Sequence, residues 1–162
     1  MKKGKASSDA RIVIERTYRA TVDEVWALWT TKDGFESWWG PQGFRAEVHA
    51  LEARPGGVLR YDMIAATPEM VAEMKKMGQP PSHPVTSRFA EVEKAKRLVL
   101  RNVIDFLPGV EPYESDITVE LSASGSSVRM VVTLDGMHDA TFTKMQEEGF
   151  TSQLTKLDTR YG

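Results

Sequence analysis

The strongest constraint on the fold is a change of period. From Phe44 onward apolar and polar residues alternate, segment after segment, and most segments meet through turns of a few residues. Phe44–Glu52 and Val58–Ile64 are joined by Ala53-Arg54-Pro55-Gly56-Gly57, whose glycines supply positive-φ turn geometry. Val85–Val92 and Arg97–Asp105 meet through the charged turn Glu93-Lys94-Ala95-Lys96. After the punctuation of Leu107-Pro108-Gly109-Val110-Glu111-Pro112, Tyr113–Leu121 and Ser126–Leu134 close the series around Ser122-Ala123-Ser124-Gly125. Ile117, Val119 and Leu121 form one stripe, matched by Val128, Met130, Val132 and Leu134. Six such strands linked by hairpin-like turns argue for one strongly curved antiparallel sheet.

The flanks carry the helical period. Arg11–Arg19 reads as a first strand, with Ile12, Ile14 and Tyr18 on one side and Arg16 among them. Thr21-Val22-Asp23-Glu24 places an N-cap hydroxyl three residues before a glutamate, a capping box. The helix it opens carries Val22, Val25, Trp26 and Trp29 at helical spacing, and a second short helix runs from about Lys32 to Trp38. Trp38-Trp39-Gly40-Pro41-Gln42-Gly43-Phe44 is then an aromatic corner, with Pro41 forcing the residue before it out of helical geometry. A long helix from about Asp139 to Asp158 ends the chain, with Phe142, Met145, Phe150, Leu154 and Leu157 on one side.

Between the third and fourth strands, Thr67–Pro84 interrupts the alternation. Pro68 at a first helical turn, followed by Met70, Val71, Met74 and Met77, reads as a short amphipathic helix that Gly78 stops. Flexible thioethers recur at adaptable binding surfaces. The insertion is thus either a lid whose Met70, Met74 and Met77 touch a ligand, or a helix packed on the sheet edge.

Composition removes several function classes. The 162 residues are 41% hydrophobic, enough for one domain over 11–162 behind a polar tail at 1–10 expected to be disordered. Net charge is −2, so no broad basic field offers itself to nucleic acid. With no cysteine there are no disulfides, thiolate metal sites or cysteine nucleophile, which fits a reducing, cytoplasmic setting. No window approaches the 18 or more apolar residues of a membrane span, and the start lacks the apolar run of a signal peptide. His49, His83 and His138 have no ligand spacing, so no metal is expected. No phosphate loop or nucleophile elbow appears, and no cofactor is expected.

The order strand, two helices, six strands, terminal helix resembles the helix-grip, or START-like, superfamily of birch-pollen-allergen-like proteins and polyketide cyclases. Within it the chain is most similar to the bacterial branch related to the heat-shock protein 90 ATPase activator. Thr21-Val22-Asp23-Glu24-Val25-Trp26, the Trp38–Phe44 corner, the Gly56-Gly57 turn leading to Met63, and Gly149-Phe150 with Leu154 and Leu157 carry that resemblance. It implies an α+β fold: a curved antiparallel sheet of about seven strands wrapped around the C-terminal helix, with two short helices after strand 1. It also implies a cavity for a small apolar or amphipathic molecule, and a homodimer as one state of the chain. It implies no particular reaction, and a binder is favoured over an enzyme.

On that scaffold the candidate cavity residues are Trp39, Phe44, Tyr61, Met63, Met70, Met74, Phe89, Met130, Phe142, Met145 and Phe150. Trp38, Trp39 and Phe44 either rim the entrance or cement the short helix onto the sheet. Arg16, Arg60, Arg101 and Asn102 are the candidate polar orienting groups, since a buried charge must be paired or hydrogen-bonded. Arg60 shares a face with Asp62, and Arg101 with Val103 and Asp105, while Asn102 points the other way. Alternation alone does not say which face is inward. The rival readings are a cyclase- or aromatase-like enzyme and a chaperone-interacting module that would use the outside of the sheet.

Overall fold

The computed structural model describes residues 11–104, 109, 111–136 and 139–161. The expected tail, together with Asp105 and His138, lies outside the described residues.

Strand β1 (Arg11–Tyr18) buries Ile14 and Tyr18 on one face, as its alternation predicts. Helix α1 (Val22–Thr30) starts at the capping box. Thr21 Oγ1 accepts from the Glu24 amide at 3.0 Å, and Glu24 Oε1 accepts from the Thr21 amide at 2.8 Å. Thr31 ends α1 and caps α2 (Lys32–Glu36), accepting from the Gly34 amide at 3.0 Å. The expected extension of α2 to Trp38 is not helical. Ser37 Oγ takes the Gly34 carbonyl at 2.6 Å, and the two tryptophans follow in a turn.

Strands β2 (Phe44–Leu51), β3 (Val58–Ala65), β4 (Ser82–Glu93), β5 (Arg97–Ile104), β6 (Tyr113–Ser124) and β7 (Ser127–Asp135) complete a seven-stranded antiparallel sheet. Its order is β1-β7-β6-β5-β4-β3-β2, so β1 and β2 are the edges. Register shifts at His49 in β2 and at Ala90 in β4 are the bulges that help bend it. Strand β4 begins earlier than the sequence suggests. Ser82–Thr86 pairs with β3 alone and pairing with β5 starts at Ser87, so the missing N–H of Pro84 removes no ladder bond on that side.

Helix α3 (Pro68–Lys76) fills the insertion, and α4 (Ala140–Tyr161) closes the fold. The core lies between the inner sheet face and α1, α2 and α4. Buried Phe150, Leu154 and Leu157 of α4 meet Leu59, Phe89, Leu100, Val119, Met130 and Val132 of the strands in one cluster. Helix α4 starts beside the end of β7 and finishes by β1, where Tyr161 accepts from the Arg19 amide at 2.9 Å. It therefore crosses the sheet from the end where β6 begins to the end where β7 begins.

Candidate functional site

The aromatic corner is fixed to the rest of the interior. Trp29 lies 5.0 Å from Trp38 and 5.5 Å from Trp39, edge-on, while Trp39 stacks on Phe35 at 4.5 Å. Phe150 of α4 touches Trp29, Trp38 and Trp39 at 6.3, 6.3 and 6.1 Å. Trp38 Nε1 donates to the Leu28 carbonyl at 2.9 Å and Trp39 Nε1 to Tyr61 Oη at 3.0 Å. Burial pushes the Tyr61 phenol up to about 12, while the bond from Trp39 holds it lower than burial alone would.

A row of polar bonds then clasps the corner to the C-terminal half of α4. The Gly40 amide donates to Gln153 Oε1 at 2.8 Å, the Gln42 amide to Ser152 Oγ at 3.0 Å, and Lys156 Nζ to the Gly40 carbonyl at 2.8 Å. Burial lowers the pKa of Lys156, which meets carbonyls rather than a carboxylate here. Gly40 sits at φ +108°, a backbone conformation that few residues other than glycine adopt.

The N-terminal half of α4 is packed differently. Among its described residues Thr143 is buried, whereas Phe142, Gln146 and Gly149 are half-buried. It faces the end of the sheet that holds a polar row. Ser87 of β4, Asn102 of β5 and Ser115 of β6 lie directly opposite one another across three strands. Ser87 and Ser115 are 3% and 2% exposed, in phase with apolar Phe89 and Ile117. Ser87 Oγ donates to Asn102 Oδ1. Ser115 Oγ and Gln146 Oε1 are buried with no hydrogen-bond partner among the described residues, as is Trp29 Nε1 in the aromatic corner. Ser87, Ser115, Thr143 and Gln153 are the buried polar side chains among the described residues, and all belong to the inner sheet face or α4. None was singled out from the sequence. The available signal was a polar residue standing in the apolar phase of its own strand or helix.

The expected cavity residues separate. Tyr61, Phe89, Met130, Phe150 and Trp39 are buried in the core cluster, and Phe44 and Met63 are half-buried in the inward phase of β2 and β3. Met74 is buried and Met70 rests on the corner, where a β-carbon on Gly43 would lie 3.0 Å from Met70 Cε. Met145 does not belong with them. It points outward at 57% exposure, because α4 buries Thr143, Phe150 and Leu154 on another face.

Two of the polar candidates need the same correction. Arg60 and Arg101 face the outer, solvated side of the sheet, since Leu59 and Tyr61, or Leu98 and Leu100, take the inward phase. Arg101 forms a two-pronged bond to Asp116, 2.8 Å at each contact. Arg16 is on the inner side but at the sheet edge, held to Asp158 of α4 at 3.2 Å beside the 2.8 Å bond from Tyr18 Oη. Asn102 faces inward.

The outer face is laced with charge pairs: Arg129 with Glu15, Arg97 with Glu91 and Glu120, Arg101 with Asp116. There the bulge at His49 brings its ring to Asp62 at 3.0 Å, with Glu47 close enough that all three donor atoms lie within 4.8 Å. Sequence spacing did not reveal this group, because it forms across strands. Two open grooves lie on the exterior, one along Lys144, Glu147, Glu148, Thr151, Ser152 and Thr155 of α4 and one between Arg19, Ala20, Thr21 and Glu24 and the turn at Ser126 and Ser127. Neither adjoins the inner polar row. No described helix is long and apolar enough to cross a membrane.

Several solved structures share this architecture. A protein from Chromobacterium violaceum superimposes with a TM-score of 0.72 at 20% identity, covering 91% of this chain and 93% of that one. A protein from Silicibacter pomeroyi gives 0.72 at 19%, covering 93% and 96%, and a solution structure from Arthrobacter aurescens gives 0.72 at 21%, covering 95% and 87%. At such identity the likeness speaks for the fold. No curated protein is similar enough to be matched. The family model described as "Activator of Hsp90 ATPase homolog 1-like protein" matches residues 19–162, and the chain belongs to that family, on the START-like helix-grip fold.

Proposed function

We propose that the protein binds one small apolar or amphipathic molecule between the inner sheet face and the N-terminal half of α4. The observation that carries the reading is the pair Ser115 Oγ and Gln146 Oε1, buried and without a partner among the described residues. A buried polar atom left unpaired costs about 1–3 kcal/mol, so such atoms mark where a bound molecule gains most by supplying the bond. The next inward row of the sheet, Phe89, Leu100 and Ile117, is apolar. A ligand that buries about 200 Å² there gains about 5 kcal/mol from burial, and one or two hydrogen bonds set its orientation.

The buried polar groups are hydroxyls and carboxamides, which bond without changing charge. That favours binding over the acid–base chemistry a cyclase-like enzyme needs. The family's namesake suggests a chaperone-docking alternative on the outside of the sheet. The ion pairs that cover that face make it a poor seat for an apolar partner. The cysteine-free composition is consistent with work in the cytoplasm.

Native mass spectrometry of protein purified without denaturant, followed by titration with the neutral amphipathic dye Nile red, tests the proposal. We expect either a co-purified small molecule or saturable one-site dye binding, weakened about 3- to 10-fold in Ser115→Ala, which removes the hydroxyl that can donate to the dye carbonyl. A clean mass together with no saturable binding would sink it.

A further inference from the structure

The two edges of the sheet are treated differently, and the difference points to a second copy of this chain. The β2 edge is blunted: it is bulged at His49, it packs against α2, and Glu36 Oε2 on that helix accepts the Val48 amide at 2.7 Å. The bond from Val48 holds the Glu36 carboxyl below its usual range, so it stays ionised over the edge. Among the described residues the β1 edge has no such cover. Its eight residues pair with β7 in unbroken register from Arg11–Asp135 to Tyr18–Val128, with no bulge, proline or glycine. Val13 on this strand is the most exposed large hydrophobic residue among those described, at 63%.

The strand is also complementary to itself when reversed. Its outer face reads Arg11, Val13, Glu15. We propose that two copies pair β1 against β1 antiparallel about a two-fold axis at Val13, joining two sheets into one. Val13 then meets its own counterpart, and Arg11 of each copy faces Glu15 of the other, an opposite-charge cross-strand pair that Glu15 makes alongside the Arg129 of its own copy. The backbone parity agrees. The Glu15 carbonyl is taken at 3.1 Å by the Arg16 guanidinium, which places it on the side away from β7. Residues alternate in direction, so Val13 and Arg11 turn their own N–H and C=O groups to the same open edge. Pairs 13–13 and 11–15 are therefore the ones that exchange two backbone bonds each. Arg11 is 64% exposed and held only by a long 3.9 Å ion pair to Asp135 among the described residues. A single strand pairing buries less than the roughly 1,200 Å² of a stable interface, so the dimer is concentration-dependent, in the micromolar range or weaker.

Sedimentation velocity over roughly 1–300 μM, together with two charge variants at the axis, tests this. Wild type moves from monomer toward dimer as concentration rises. Val13→Lys and Val13→Glu place like charges face to face and stay monomeric, with unchanged circular dichroism because the residue is exposed. An equimolar mixture of the two variants regains the dimer, and salt weakens it. Wild type that stays monomeric throughout overturns the proposal, as do variants that each still dimerise. A mixture that fails to associate overturns the register on Val13.

Discussion

Two serines in one cross-strand row are expected to respond oppositely to the same substitution. Ser87→Ala removes the hydroxyl that donates to Asn102 Oδ1 and leaves that half-buried acceptor without it. The loss is about 0.5–1.5 kcal/mol, or a fall in Tm of about 1–6 °C for a chain this long. Ser115→Ala removes a hydroxyl that is 2% exposed and meets no partner among the described residues. No bond is broken and a desolvated polar atom disappears, so stability should hold or rise by up to about 1 kcal/mol. The volume removed is one oxygen in both cases, which makes cavity effects cancel in the comparison. Urea unfolding followed by far-UV circular dichroism and by tryptophan emission reads both midpoints, with equal m-values as the check that only stability changed. In the presence of Nile red the order changes: wild type gains more than Ser115→Ala, because only wild type offers the hydroxyl. If Ser115→Ala destabilises the free protein as much as Ser87→Ala, the Ser115 hydroxyl is satisfied from within, and the argument for a ligand at this row fails.

Adjacent glycines in the β2–β3 turn should also part company. Gly56→Ala faces open space but keeps φ at +81°, costing about 1–2 kcal/mol, whereas a β-carbon on Gly57 would sit 1.9 Å from the Glu52 carbonyl oxygen and forces the turn to rebuild. Equal urea midpoints for the two variants would show that the turn relaxes freely. Arg101→Met removes an outer-face ion pair and is expected to cost no more than about 1 kcal/mol while leaving Nile red affinity unchanged; a tenfold loss of affinity would place Arg101 at the site after all. Stability should fall as pH rises through the alkaline range, in part because of Tyr61. Its phenol ionises near 10.0 when unfolded and about 12 when folded, so its contribution is complete below pH 10 and is lost between about 10 and 12, up to about 3 kcal/mol. Tyr61→Phe leaves Trp39 Nε1 without its acceptor and so starts less stable at neutral pH, but with a flatter alkaline slope. An unchanged slope would show that other groups carry it.

The elements were legible where a local rule decides them. The Thr21–Glu24 box forms both of its bonds, and the alternation of Ile117, Val119 and Leu121 became one buried stripe, because each depends on neighbours a few residues away. Inwardness is not local. Arg60 and Asp62 on one side of β3 and Leu59, Tyr61 and Met63 on the other were both visible, and the uniformly apolar side was the one buried. Reading each strand by its more homogeneous face would have turned Arg60 and Arg101 outward at once. The His49–Asp62 contact was invisible for another reason, since a bulge changes which residues share a face and leaves no mark in spacing. The site residues were missed because small neutral groups carry little weight one at a time. Ser87 interrupts Val85 and Phe89, Ser115 interrupts Tyr113 and Ile117, and Gln146 and Gln153 flank Phe150 on one helical face. Each looks tolerable alone. An inward position that gives up an apolar side chain forgoes roughly 1.5–3 kcal/mol of burial, and Ser87, Asn102 and Ser115 do so in one cross-strand row, while Gln153 serves the clasp on Gly40. Packing does not explain that concentration. The proposed ligand, with a polar group to place, would account for it.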